Sequence, residues 1–132
     1  MVRGEAQENI RDVFWVTFSG RKLANKEGMF SSSDPFLLIS RMNEDGTFTQ
    51  VWKNEKISNN LNPNWPPVGI PMAQLCNGDI ERPLRIEIFD FEKSGHHHSM
   101  GEVRFILKIL LCMYVCMYVV SCIYTANLFV LN

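Results

Sequence analysis

The chain has 132 residues, which is enough for one domain with a single hydrophobic core. Its formal net charge is −1 at pH 7, so it lacks the basic excess of a dedicated nucleic-acid-binding protein. Hydrophobic residues make up 46% of the chain, which argues against a disordered or fibrous protein.

The distribution of charge divides the chain near residue 104. Every charged residue except Lys108 lies in residues 1–104, whereas residues 105–132 contain three of the four cysteines. We therefore predict a polar N-terminal segment (1–11), a folded domain (12–104) and an apolar tail (105–132). The N-terminus does not resemble an export or transit signal, and the cysteine spacing is not that of a secreted disulfide scaffold, so we expect a cytoplasmic protein.

Short strand patterns separated by turn residues run through the first hundred residues. Residues 13–18 are β-branched and aromatic, with apolar side chains on both faces, as in a strand inside a sandwich. Residues 35–40 and 47–52 predict the two arms of a hairpin around the turn at 43–46. In residues 84–89 apolar and charged side chains alternate, which is typical of a half-buried antiparallel strand. With no convincing helical stripe, this pattern favours an all-β sandwich.

Acidic residues lie directly beside the predicted strand ends in two loops. Asp34 precedes the strand that begins at Pro35, and Asp90 and Glu92 follow the strand over 84–89. Carboxylates at neighbouring strand ends can converge into a cup of oxygen ligands, which suits calcium because that ion accepts six to eight oxygens in loose geometry. Ordinary turn chemistry is the alternative, since Asp is common in turns.

Three motifs, in order along the chain, resemble those of a C2 domain. They are Ser33-Asp34-Pro35-Phe36, Asn60-Leu61-Asn62-Pro63-Asn64-Trp65, and Asp90-Phe91-Glu92 with Met100-Gly101 after it. Residues 30–41 and 59–65 resemble the second C2 domain of copines in particular. The resemblance covers residues 12–103, and it implies an antiparallel, eight-stranded C2-type β-sandwich whose loops at one end bind calcium and then anionic phospholipid.

The resemblance also implies where the calcium ligands should lie. C2 domains that bind calcium usually use five acidic ligands, two from the first loop and three from the third. These positions fall on Gly28, Asp34, Asp90, Glu92 and His98. Gly28 has no side chain, although the adjacent Glu27 would reach the site if the loop shifted, and the imidazole of His98 is a poor replacement for an oxygen ligand. We therefore expect calcium as the cofactor, bound much more weakly than by five carboxylates.

Candidate membrane contacts lie in the same loops. Met29 and Phe30 are at the tip of the first loop, where C2 domains often insert apolar side chains into the bilayer interface. His96 and His97 lie with His98 at the tip of the third loop, and below about pH 6.5 they would attract anionic headgroups without calcium. A solvated loop and a site for zinc or copper are the alternatives for these histidines.

Two interpretations of the apolar tail stay open. Residues 109–126 form an uncharged run of 18 residues, and 18 residues is the lower limit for a helix that crosses a bilayer. The first interpretation is therefore a membrane anchor at the tail. The sequence Cys-Met-Tyr-Val at 112–115 repeats at once at 116–119 and reads in codons as a simple DNA repeat, which favours translation into an unspliced intron after Glu102. The final strand of the sandwich would then be missing or replaced, with part of 103–111 as a substitute strand.

No catalytic motif accompanies these features. The chain has no nucleophile elbow, no phosphate-binding loop and no zinc-protease helix, so we expect a binding module and not an enzyme. The main prediction is a monomeric, copine-like C2 module that binds anionic phospholipid peripherally at the plasma membrane, with weakened calcium affinity. A calcium-independent protein–protein adaptor and a tail-anchored membrane protein are the alternatives.

Overall fold

The computed structural model describes residues 13–25 and 33–108 with their side chains, and residues 123–131 as backbone. Its elements are β1 (Val13–Arg21), β2 (Pro35–Met42), β3 (Phe48–Lys53), β4 (Val68–Pro71), α1 (Met72–Cys76), β5 (Pro83–Asp90), β6 (His98–Ile106) and β7 (Ile123–Leu131). The strands form a three-stranded sheet in the order β4-β1-β7 and a four-stranded sheet in the order β3-β2-β5-β6. The predicted all-β sandwich is confirmed.

Strand β5 shows how alternation in the sequence sets the two faces of the four-stranded sheet. Leu84, Ile86 and Ile88 are buried in the core. On the other face, Arg85 Nε lies 3.0 Å from Glu87 Oε1 in an ion pair. Successive side chains of a strand point to opposite faces, so one face packs inward and the other stays at the surface. The predicted half-buried strand is confirmed.

Strand β1 buries one of its two apolar faces more completely than the other. Phe14, Val16 and Phe18 are buried, whereas Trp15 is 41% exposed. The cross-strand partner of Trp15 is Gly69 on β4, and a Cβ at Gly69 would lie 3.0 Å from the indole ring. The missing side chain leaves room for the indole to lie across β4 at the surface. The predicted strand inside the sandwich is confirmed, with the face that carries Trp15 only partly buried.

Helix α1 was not predicted from the sequence. It has only five residues, too few for a 3.6-residue period to appear, yet it buries Met72, Leu75 and Cys76 in the core. Asn77 ends it in the left-handed conformation (φ 54°), and the Asn77 N–H donates to the carbonyl of Ala73 at 3.1 Å.

The charge-based boundary at residue 104 falls inside a strand. β6 continues to Ile106, and Leu107 is fully buried. The Lys108 N–H donates to the carbonyl of Ile80 at 2.9 Å. Residues 103–106, part of the predicted substitute strand, therefore pair with β5 as the end of β6.

The last described segment of the tail forms a strand in the other sheet. β7 runs parallel to β1, from Val13 opposite Ile123 to Arg21 opposite Leu131. The other described strand pairs are antiparallel, as predicted for a C2-type sandwich. Of the proposed membrane anchor, residues 123–126 lie in β7 and residues 109–122 lie outside the described part of the chain. Within the described residues, no helix is long and apolar enough to cross a bilayer.

Truncation of Ile86 provides a test of the core. Ile86→Ala should lower the free energy of unfolding by about 2–5 kcal/mol, because it removes buried methyl groups and leaves a cavity. Urea denaturation of the full chain measures the change. Val103, the cross-strand partner of Ile86, is 44% exposed and offers a matched control. Val103 is on the same face of the sheet but lies on the edge strand β6, so Val103→Ala should change the free energy by no more than about 0.5 kcal/mol. Equal losses in the two variants would contradict the burial of Ile86.

The thiol of Cys76 should be unreactive in the folded protein. Burial raises the pKa of Cys76, and this effect outweighs the lowering by the Gly78 backbone hydrogen bond. The nucleophilic thiolate is therefore scarce at pH 8, and the side chain is also sealed in the core. In a variant with Cys112, Cys116 and Cys122 changed to Ser, Ellman's reagent should react with Cys76 only after urea unfolds the chain. Rapid reaction without urea would contradict this placement.

Candidate functional site

The pairing of β5 with its two neighbours brings several chain segments to one end of the sandwich. Pro35 at the start of β2 and His98 at the start of β6 are both register partners of Asp90 at the end of β5. The segment after β3 joins them, because the Ile57 N–H donates to the Pro35 carbonyl at 3.0 Å. We call residues 33–34, 54–60 and 91–97, with Asp90 and His98, the loop end.

Asp90 is the buried centre of the loop end. It continues the inward-facing series of β5 after Ile88, and it is 0% exposed. Its Oδ1 accepts a hydrogen bond from the Asp34 N–H at 2.9 Å. Its Oδ2 is buried and has no hydrogen-bond partner in the described structure. Leaving such a group unpaired costs about 1–3 kcal/mol, so this oxygen is a ready ligand for a cation.

Two further side chains complete a group with metal-ligand geometry. One ligand atom from each of Asp90, Glu92 and His98 lies within 4.8 Å of the others. The Nδ1 of His98 is 3.7 Å from Oε1 of Glu92. Exposure rises from the buried Asp90 through Glu92, at 34%, to His98, at 60%, so the group opens from the core toward solvent. We call these three residues the Asp-Glu-His cluster.

One oxygen of the Asp34 carboxylate is engaged outside the cluster. The side-chain Oδ1 of Asp34 accepts the Asn59 N–H at 2.8 Å, and the backbone carbonyl of Asp34 accepts the Phe91 N–H at 3.0 Å. Asp34 therefore ties the segment after β3 to the segment after β5, and it supports Asp90 through its own N–H. Of the predicted ligands, the structure brings together Asp90, Glu92 and His98, with Asp34 beside them but outside the cluster.

The histidines next to the cluster occupy different environments. His97 packs on the rings of Phe36 and Phe91, with centroid distances of 4.9 and 5.1 Å. Its Nδ1 accepts the Glu92 N–H at 2.9 Å, which fixes the backbone of a cluster residue. His96 is exposed. The sequence predicted both as membrane contacts, and only His96 has an open environment.

The remaining predicted site residues lie in the first loop. Glu27, Gly28, Met29 and Phe30 are outside the described residues. Their predicted roles, as a calcium ligand and as membrane contacts, stay predictions.

Two lysines at the loop end were missed in the sequence. Lys56 and Lys93 line a cavity of about 310 Å³ together with Asp34, Phe91, Glu92 and Ser94. The Lys56 ammonium lies 5.2 Å from the centroid of the Phe91 ring and donates to Ser58 Oγ at 3.1 Å. In the sequence, only one feature could have indicated that Lys56 lies at the loop end. It follows the hairpin arm that ends beside the start of β2.

Comparison with known proteins agrees with this architecture. The family model of the C2 domain matches residues 13–112. Among solved structures, BON1-C2B, from a copine-like protein, is 34% identical to this chain. That match covers 84% of this chain and 75% of the other, with a TM-score of 0.70.

More distant structures share the fold alone. The match to a C2 domain of plant extended synaptotagmin 1 covers 74% of this chain and 72% of that chain, at 22% identity and a TM-score of 0.52. A human GIVD cytosolic phospholipase A2 is 14% identical with a TM-score of 0.51, and the match covers 75% of this chain but 13% of the phospholipase. From the family match and the BON1-C2B match, the chain belongs to the C2 domain family.

Proposed function

We propose that this C2 domain binds anionic phospholipid headgroups through its loop end. It acts as the second C2 domain of a copine-like protein, peripherally and at the cytoplasmic face of the plasma membrane. Family membership supports this proposal, since C2 domains are in general non-catalytic modules. The observation that carries it is the cavity at the loop end, where Lys56 and Lys93 lie beside the carboxylates.

The copine assignment rests on two agreements. BON1-C2B, from a copine-like protein, is 34% identical to this chain in a match that covers most of both lengths. The copine-like motifs at 30–41 and 59–65 contribute to the loop end through Asp34 and the Asn59 backbone, which bond to each other. The two motifs that suggested the family thus both contribute residues to the proposed lipid-binding surface.

Lysine side chains supply the attraction for a phosphate group. Each basic residue near an anionic membrane contributes about 1 kcal/mol, and this contribution falls with ionic strength. The contacts of Lys56 with Phe91 and Ser58 hold its ammonium group at the cavity, which lowers the entropy lost when a headgroup binds. Asp34 and Glu92 in the same cavity oppose an anion, so affinity without a bound cation is modest.

Calcium fits the described site poorly. The Asp-Glu-His cluster offers two carboxylates and an imidazole, whereas calcium takes six to eight oxygen ligands. Asp34 lies outside the cluster, and one oxygen of its carboxylate, Oδ1, already accepts the Asn59 N–H. With the ligands that the described residues supply, calcium contributes weakly to membrane binding.

Removal of the two loop-end charges tests the proposal. Lys56→Gln combined with Lys93→Gln should weaken binding to phosphatidylserine-containing vesicles by about 30-fold, as expected for a loss of about 2 kcal/mol. Co-sedimentation with phosphatidylserine–phosphatidylcholine vesicles at low salt, in the presence of EDTA, measures the bound fraction.

Arg82→Gln is a control for loss of positive charge away from the loop end. It removes one positive charge at the opposite end of β5, where the Arg82 Nε lies 3.5 Å from an exposed Asp79 carboxylate. Its vesicle binding should equal that of the parent chain. The proposal fails if the parent does not prefer phosphatidylserine over pure phosphatidylcholine, or if the double variant binds as the parent does. Absence of any lipid binding by a folded chain would favour the protein–protein adaptor.

A further inference from the structure

We propose that the Asp-Glu-His cluster is a zinc site, selective for Zn²⁺ over Ca²⁺. A role for this zinc site at the membrane rests on the proposed function. The metal binding itself depends only on the three side chains of the cluster. Asp90, Glu92 and His98 each present one ligand atom, all within 4.8 Å of one another. His98 occupies a position where C2 domains usually have an acidic calcium ligand. In this proposal it binds zinc instead.

The donor set distinguishes the two ions. Zinc is bound in proteins by imidazole nitrogen and carboxylate oxygen, in sets of three or four ligands. An imidazole suits zinc and its neighbours in the transition series, whereas calcium requires oxygen. Two carboxylates and one imidazole therefore form a complete three-ligand zinc site but only a fragment of a calcium site.

The geometry needs only a small closure around the ion. Ligand atoms about 2.1 Å from a tetrahedral zinc ion lie about 3.4 Å apart. The largest separation in the cluster is at most 4.8 Å, and His98 is already 3.7 Å from Glu92. Asp90 is buried and held by the Asp34 N–H, while the His98 side chain is 60% exposed, so its rotation toward Asp90 would displace no core side chain. The site thus has one buried ligand and one exposed outer ligand.

A second observation points independently to a cation. Oδ2 of Asp90 is buried without a hydrogen-bond partner in the described structure, although Oδ1 is held by the Asp34 N–H. A charged oxygen in that state is costly unless an ion neutralises it. Zinc bound at the cluster would remove that cost.

Neighbouring groups orient the ligands in the way that metal sites require. The Asp34 N–H sets the direction of the Asp90 carboxylate, and the His97 ring accepts the N–H of Glu92. Such outer contacts hold ligands in place and tune affinity. Three protein ligands leave a fourth zinc position for water or for a phosphate oxygen of a lipid headgroup.

Zinc titration of the full chain without vesicles tests the site. The background variant carries Ser at positions 112, 116 and 122, so that thiolates do not compete for the metal. Isothermal calorimetry should give one Zn²⁺ per chain with a lower dissociation constant than for Ca²⁺, and zinc should raise the melting temperature. Tighter binding of Ca²⁺ than of Zn²⁺ would overturn the proposal.

Two substitutions separate this site from nonspecific binding by a run of histidines. His98→Asp should weaken zinc binding at least tenfold and strengthen calcium binding, because it exchanges a nitrogen donor for oxygen. His96→Ala, at an exposed neighbour outside the cluster, should leave zinc affinity unchanged. Equal losses in the two variants would show that the histidine run binds the metal and would overturn the proposal.

A third substitution covers the case in which His98→Asp does not fold. Glu92→Gln, at a half-buried position, should also weaken zinc binding at least tenfold, and unchanged affinity would overturn the proposal. Because zinc is measured without lipid, the outcomes remain distinct from those of the vesicle experiment. A chain that binds zinc but no vesicles refutes only the lipid function, and one that binds vesicles but no zinc refutes only the zinc site.

Discussion

The buried carboxylate of Asp90 is the constraint on which the loop end of this domain depends. Alternation along β5 requires the side chain after Ile88 on the inward face to be buried, and that side chain is an aspartate. One of its oxygens is satisfied by the Asp34 N–H and the other is not satisfied in the described structure. A buried charge without a partner is destabilising, and the proposed zinc ion would supply that partner at the end of β5.

Charge at the loop end is closely balanced. Asp34, Glu92 and the buried Asp90 face Lys56 and Lys93 across one small region. With all of them ionised, one net negative charge remains, and a bound divalent cation would make the region positive. Metal binding would then strengthen attraction to an anionic membrane, because it would change the sign of the local potential. The lysines would supply the attraction that does not depend on the metal.

The apolar C-terminal segment has a structural role in the described backbone. β1 lies between β4 and β7, so β7 covers an edge of β1 that would otherwise expose unpaired N–H and carbonyl groups. The pair is parallel, unlike the other described strand pairs. A long connection is needed for parallel neighbours, and more than 100 residues separate the two strands in the chain.

Local pattern was sufficient for the fold class and for part of the site. Alternation predicted the buried face of β5, and the turn at 43–46 predicted the hairpin, where Gly46 has a φ of 87°. Asp90 and Glu92 were predicted because acidic residues at a strand exit are visible in sequence. Three features were not predicted, since each depends on a partner distant in the chain. They are the exposure of Trp15, the hydrogen bond from the Asn59 N–H to Asp34, and the position of Lys56 beside Asp34 and Glu92. Sequence determines which face a side chain takes on its own strand, whereas register between strands decides which side chains meet.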